Sequence, residues 1–367
     1  MPVACAVGVL CAGGGVAAAA SVPAVRGEAP ARPGNRPLLA VSCASARNCT
    51  AVGGLFAARW NGRRWSAQPI AVPPFSTASL DFLAGVSCPT KRTCMAVGLD
   101  YPPVGADAPY DYLALSEGRR GGAWTDDSPA PSQTFDGYLL ATSCPSASHC
   151  VAVGQNVTSA LAMAWDGSGW TVQLAPVAPP VSSVLNGVSC PSGSRCFAVG
   201  ELTPNQFSFS HPLIERWDGS RWSTVRTPKT SPFKPAVLNA VSCTGRSCTA
   251  VGTLGYGQLV ERWTGGSWSI QRTPGGAPDA VLNGVSCVSR TDCVAVGAVT
   301  GQPGQSLAER WNGRRWSIQP TPTLAGGAVL NAVSCVSAAD CVAVGERSRL
   351  PLLEHWNGAA WSIQARA

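Results

Sequence analysis

Asp100, Asp107, Asp111, Glu117, Asp126, Asp127 and Asp136 crowd one stretch of a chain that has only 20 acidic residues among its 367. Glycosidic cleavage commonly uses two such carboxyls across the bond, one giving a proton and the other supplying or activating the nucleophile. These residues are therefore the candidates for glycoside hydrolase or lyase chemistry. Tyr101, Tyr110, Tyr112 and Tyr138 lie among or just after them, and Phe207, Phe209 and His211 form a second group further on. Flat apolar rings beside hydrogen-bonding groups suit a bound carbohydrate or peptide. The competing reading is that the rings, with Phe75, Phe135 and Phe233, pin long loops. Acids confined to one stretch need not converge on a pocket, so binding is favoured over catalysis. The expected ligand site is Tyr101, Asp107, Tyr110, Asp111, Tyr112, Tyr138, Phe207, Phe209 and His211, with no catalytic residue assigned.

Other chemistries find less support. A serine precedes the first cysteine of every pair described below, as Ser189 does, so it reads as consensus and not as a nucleophile. Of three histidines, His149 sits between paired cysteines, His355 replaces a recurrent arginine, and only His211 falls in a variable loop. No phosphate-cradling glycine loop or metal motif is present, so no cofactor or metal is expected. Setting Cys5 and Cys11 aside, the remaining fourteen of the 16 cysteines fall into seven pairs. They are Cys43 with Cys49, Cys88 with Cys94, Cys144 with Cys150, Cys190 with Cys196, Cys243 with Cys248, Cys287 with Cys293, and Cys335 with Cys341. Zinc would want shorter spacings and further ligands. Disulfides at hairpin bases are expected instead, each contributing about 2 kcal/mol by chain entropy.

The elements that hold these residues follow from repetition. Around each cysteine pair the same words return, LNGVSCPSGSRCFAVG from Leu185 to Gly200 and LNAVSCVSAADCVAVG from Leu330 to Gly345. A fixed period of roughly 45 residues signals a propeller, solenoid or array. The unit from Leu185 to Arg226 predicts four strands, LNGVSC, CFAVG, PLIERW and RWSTVR, rich in β-branched and aromatic residues. Asp218-Gly219 and its counterparts Asn61-Gly62, Asp166-Gly167, Thr264-Gly265, Asn312-Gly313 and Asn357-Gly358 tolerate positive φ and favour tight hairpins. Val188, Cys190 and Ala198 are expected on one side of the sheet, with Leu185, Phe197 and Val199 on the other. A sheet apolar on both faces must be covered twice, which blades wedged in a ring achieve. The expected fold is therefore all-β, a seven-bladed β-propeller with four antiparallel strands and one disulfide per blade.

Tryptophans spaced five apart, such as Trp217 and Trp222, recur in nearly every unit and read as packing between blades. The second unit lacks its third-strand tryptophan, and its last turn is expected to be three residues longer, at Arg119 to Ala123. Glu215, Glu261, Glu309 and Glu354 precede Arg-Trp or His-Trp and are expected to form structural ion pairs or edge polarity. Connections between the second and third strands, and between blades, share one face and vary widely. That face is where specificity is expected.

The unit VSC, then C-x-AVG, then W-N/D-G-x-x-W resembles secreted repeat proteins of actinobacteria. More distantly, Asp166-Gly-Ser-Gly-Trp170 and Asp218-Gly-Ser-Arg-Trp222 resemble the turn of bacterial Asp-box (BNR-like) propellers. They depart from it by a spacing one residue shorter and by frequent Asn or Thr in place of Asp. The resemblance spans Leu38 to Gln364 and implies architecture, not activity.

Residues 1–24 read as a signal peptide: an apolar run from Val3 to Ala20, then Val22, Pro23 and Ala24. A membrane anchor and a lipoprotein at Cys11 are the competing readings, and a stable span in the mature chain is not expected. Residues 25–37 read as a linker and 38–367 as the propeller. The net charge of +7 is scattered through every unit, which argues against a nucleic-acid stripe. The expectation is a secreted, monomeric, noncatalytic binding or scaffold protein, with an envelope polysaccharide or extracellular protein as partner.

Overall fold

A computed structural model describes residues 36–70, 81–101, 112–129, 136–173, 182–205, 207–274, 279–300 and 304–364. They form seven sheets, each of four consecutive antiparallel strands, with no helix among the described residues. The blades occupy 40–68, 82–126, 137–173, 182–224, 236–270, 280–319 and 328–363. In blade four the strands are Ser182–Ser192, Arg195–Thr203, His211–Trp217 and Trp222–Thr224.

Seven apolar clusters, one at each blade boundary, cover both faces of every sheet. Val151, Val153 and Ala162 of blade three pack with Leu185, Val188, Cys190 and Leu213 of blade four. The last boundary joins Val342, Val344 and Leu353 of blade seven to Leu38, Val41 and Trp65 of blade one. The ring is thus closed, and it closes without lending a strand across the seam, because every sheet is built from its own four strands. The seven expected cysteine pairs are all disulfides. Such a set fits an oxidising environment.

The recurrent serine has a structural task. Its Oγ accepts the amide of the first cysteine in the next blade: Cys88 N to Ser42, Cys144 to Ser87, Cys190 to Ser143, Cys243 to Ser189, Cys287 to Ser242, and Cys335 to Ser286, at 2.9–3.0 Å. Cys43 N to Ser334 Oγ at 3.0 Å completes the circle. A partial second belt lies one step along the first strands. Asn186, Asn239, Asn283 and Asn331 donate Nδ2 to the carbonyls of Leu238, Leu282, Leu330 and Leu38 at 2.9–3.1 Å. In blades two and three the same place holds buried Ala84 and Leu140.

Asn186 is the extra residue of a β-bulge, lying between the register pairs Leu185 with Gly200 and Gly187 with Val199. The bulge reverses the inside-outside phase of the strand. Leu185 consequently joins Val188, Cys190 and Ala198 on one side, while Phe197 and Val199 face blade five. The placement of Leu185 opposite Val188 is therefore corrected. Opposite the bulge, a Cβ on Gly200 would collide with the carbonyl of Val184, and six equivalent glycines are in the same position. Close approach, not turn geometry, explains the glycine of every AVG.

The residue facing the valine of AVG alternates around the ring: Ala40, Gly85, Ala141, Gly187, Ala240, Gly284, Ala332. A Cβ on Gly85, Gly187 or Gly284 would come within 2.8–2.9 Å of the Cα of the alanine in the next blade. Seven being odd, the alternation places alanines, Ala332 and Ala40, in both of the blades that flank the seam.

The hairpins between third and fourth strands behave as expected. Their first glycines, such as Gly219 at φ 104°, are left-handed. Asp218 Oδ1 accepts the amides of Ser220 and Arg221 at 2.9 and 3.0 Å, the Asx turn that favours Asp or Asn there. Those two bonds and the Ser220 hydroxyl hold the Asp218 carboxyl down to about 2. The second tryptophan of each hairpin, from Trp65 to Trp361, is buried.

Blade two departs from expectation. Its last hairpin is not lengthened: Arg119 pairs with Trp124 and Arg120 with Ala123 about the turn Gly121-Gly122. Arg119 fills the place of the missing tryptophan, opposite Cys94 as Trp217 is opposite Cys196. It is 1% exposed, its guanidinium lies 5.9 Å from the Trp124 ring centre, and Nη2 reaches Cys94 Sγ at 3.0 Å.

Candidate functional site

First strands of neighbouring blades touch one another round the ring and so form its inner wall. Near the variable-face end of that wall, blades two, three and four gather Ala84, Leu99, Tyr138 and Leu140, with Phe82, Tyr101, Tyr112 and Val184 packed against them. Tyr101 directly follows the second strand of blade two, Thr93–Asp100, and Tyr112 directly precedes its third, Leu113–Arg120. The rings run in series. Tyr101 and Tyr112 meet edge to face at 5.5 Å, and Tyr112 and Tyr138 at 6.1 Å. Such contacts add to the area the rings bury.

Polar groups border the series. Tyr138 is buried and donates its hydroxyl to Gln155 Oε1 at 2.8 Å. Burial, then the Tyr112 hydroxyl and the Glu201 carboxylate, push the Tyr138 phenol up to about 12. Glu201, raised by its own burial, is held by a hydrogen bond from Ser210. Backbone amides are fixed by carboxylates: Tyr101 N donates to Asp81 Oδ1 at 2.8 Å, and Tyr112 N to Asp136 Oδ1 at 3.1 Å.

The expected site residues thus divide. Tyr101, Tyr112 and Tyr138 come together, although Tyr138 is buried rather than exposed. Asp107, Tyr110 and Asp111 lie outside the described residues, as do Phe75 and Phe135. Phe207 is 90% and Phe209 49% exposed, and neither packs into the tyrosine cluster. His211 opens the third strand of blade four, opposite Leu202. Gln155, Glu201 and Asp81 were not anticipated. A signal was present for two of them: the residue after AVG, Gln155 or Glu201, changes from blade to blade while the AVG before it does not.

The acids of blade two are largely engaged in structure. Asp100 and Asp81 hydrogen-bond each other and are 5% and 0% exposed. Burial, then the Asp81 charge and hydrogen bond and the Asp126 charge, push the Asp100 carboxyl up to about 6. Asp126 caps Ser128 N at 2.9 Å, and Asp127 holds Arg120 at 2.7 Å. Glu117 is wholly buried. A directly bonded carboxyl pair is closer than the roughly 5–9.5 Å that glycoside cleavage requires.

The recurrent glutamates are corrected as well. Glu215, Glu261, Glu309 and Glu354 are wholly buried and make no ion pair among the described residues. Gln258 donates to Glu309 Oε1 at 2.6 Å, and Ser306 to Glu354 Oε1 at 3.2 Å. The corresponding places facing Glu215 and Glu261 are Ala160 and Pro212, which offer no side-chain donor. Burial pushes Glu261 up to about 8 and the other three to about 7.

No protein-family profile matches the chain, and no curated protein matches it. Among solved structures, YCF48 from Cyanidioschyzon merolae is similar at TM-score 0.59 and 11% identity, covering 89% of this chain and 98% of that one. YCF48 bound to D1 peptide is similar at TM-score 0.57 and 11% identity, covering 88% and 92%. The GH74 xyloglucanase from Xanthomonas campestris is similar at TM-score 0.59 and 11% identity, over 92% of this chain and 56% of that chain. At such identities the likeness is one of fold, shared by binding proteins and a hydrolase.

Proposed function

We propose that this chain is an exported, noncatalytic binding or scaffold propeller whose ligand docks at the tyrosine cluster of blades two to four. The observation that carries this reading is the edge-to-face series of Tyr101, Tyr112 and Tyr138 beside Gln155 and Glu201. It stands on the face where loops differ between blades. Rings held at fixed angles, Tyr101 and Tyr112 half-buried, beside amide and carboxylate groups suit a sugar ring or a peptide, because little side-chain entropy is lost on binding. An envelope polysaccharide is the favoured partner and an extracellular protein the second. Seven disulfides support export, with residues 1–24 as its signal and a monomeric ring following the linker. The blade-two acids support hydrolysis less, since the described ones bond to each other, to backbone or to Arg120.

The test is to pass purified, oxidised protein over a panel of cell-wall polysaccharides and assay both retention and released reducing ends. Retention without release is expected. Replacing Tyr101 and Tyr112 together by alanine should weaken binding at least tenfold, about 1.4 kcal/mol, while circular dichroism shows the sheets intact. Steady release of product would favour the hydrolase, and undiminished binding by the folded double variant would move the site elsewhere.

A further inference from the structure

The hairpin face, opposite the tyrosine cluster, carries a second asymmetry. In blades six and seven a basic side chain of the third strand meets an acid just before the second cysteine. Arg310 grips both oxygens of Asp292 at 2.9 and 2.7 Å, and His355 meets Asp340 at 3.1 Å. The aligned pair in blade four is Arg216 and Arg195, so two guanidiniums stand where blade six sets a guanidinium against a carboxylate. A third, Arg246, projects from the cysteine hairpin of blade five, which is one residue shorter than the rest and turns through Gly245 at φ 58°.

These three arginines, with Phe197, Trp263 and Gly245, line an open cleft of about 270 Å³ between blades four and five. No acidic side chain lines it. The Nε of Arg195 is buried and has no hydrogen-bond partner. In blades five and six the guanidiniums that match Arg216 are engaged. Arg262 lies 4.9 Å from the Trp311 ring centre and donates to Ser247 and to the Arg290 carbonyl, while Arg310 is committed to Asp292.

Like charges gathered with an unmet donor are costly until an anion neutralises them. The guanidinium fork matches the oxygens of a tetrahedral oxyanion two at a time. Trp263, packed 5.4 Å from Phe197, gives the cleft an apolar wall for the group that bears the anion. We infer that the cleft between blades four and five is an oxyanion site, taking a phosphate or sulfate monoester group. It is separate from the tyrosine site and does not depend on it.

The experiment is isothermal titration calorimetry of the full chain with inorganic phosphate and, separately, inorganic sulfate, in a chloride background of constant ionic strength. Saturable binding of either anion is expected. R195D should weaken it at least tenfold and leave the melting temperature unchanged or raised, since it gives blade four the ion pair that blade six already has. R246Q should weaken binding without touching that pair, and R314Q, on another exposed hairpin, should not. A tightening of phosphate but not sulfate affinity from pH 6 to 8 would identify the phosphate dianion as the better fit. Equal affinity in the wild type and R195D, or no heat beyond that of chloride, would overturn the assignment.

Discussion

Glu261 has no exposure, and neither carboxyl oxygen has a hydrogen-bond partner, so the neutral acid is the form that burial favours. Its folded pKa near 8, like values near 7 for Glu215, Glu309 and Glu354, lies above the unfolded value. The native chain therefore binds more protons than the unfolded chain at intermediate pH. The associated stability is complete below about pH 4.5 and is lost as pH rises through 7 to 8. Asp100, raised to about 6, acts in the same direction; Asp166 and Asp218, held near 2, act in reverse and only below about pH 4. Denaturant midpoints should fall between pH 5 and pH 9. E261Q should flatten that fall and exceed the wild type at pH 9 by on the order of a few kcal/mol. A wild-type midpoint level across the range would contradict this account. The sequence misled at these residues because Glu-Arg neighbours suggest a pair, whereas successive strand residues point to opposite faces.

At the scale of the strand, the bulge and the glycine facing it are one device. The extra residue in the first strand brings its backbone onto the second, and only glycine leaves room. Gly200→Ala should cost about 2–4 kcal/mol in urea unfolding. Gly266→Ala, where a Cβ meets nothing within 4 Å, should stay within about 0.5 kcal/mol. Similar losses for both would remove the steric explanation. The strands, cysteine pairs and Asx hairpins were legible because each is set by a short word repeated in the chain. The bulge was not, since a strict period of two sets Leu185 opposite Val188, and an inserted residue leaves no mark in composition. Arg119 was missed because an arginine in an aromatic slot hides the register, making a normal hairpin look lengthened. The arginine cleft was only half visible: Arg195 stands where blades six and seven have Asp292 and Asp340, but Arg246 comes from the next blade.

Taken whole, the molecule is a ring in which every repeat is one complete sheet. Nothing in the strand pairing distinguishes the seam from other junctions, so the position of the chain ends is topologically free. A circular permutant that joins the present ends through a flexible linker and opens between Thr224 and Ala236 should fold with the same seven disulfides. Peptide mapping and the far-ultraviolet spectrum would check this, and a permutant with scrambled bridges would show that the order of blades matters. The serine belt, continuous from Ser42 round to Ser334, links all junctions alike. The alternating alanine and glycine do not. A necklace of two bead types can alternate perfectly only when its beads are even in number, so a seven-membered one must somewhere set like beside like. Here the two methyl-bearing beads, Ala332 and Ala40, flank the clasp, where no peptide links the neighbours. Parity thus makes the clasp unlike the other six joints at this position.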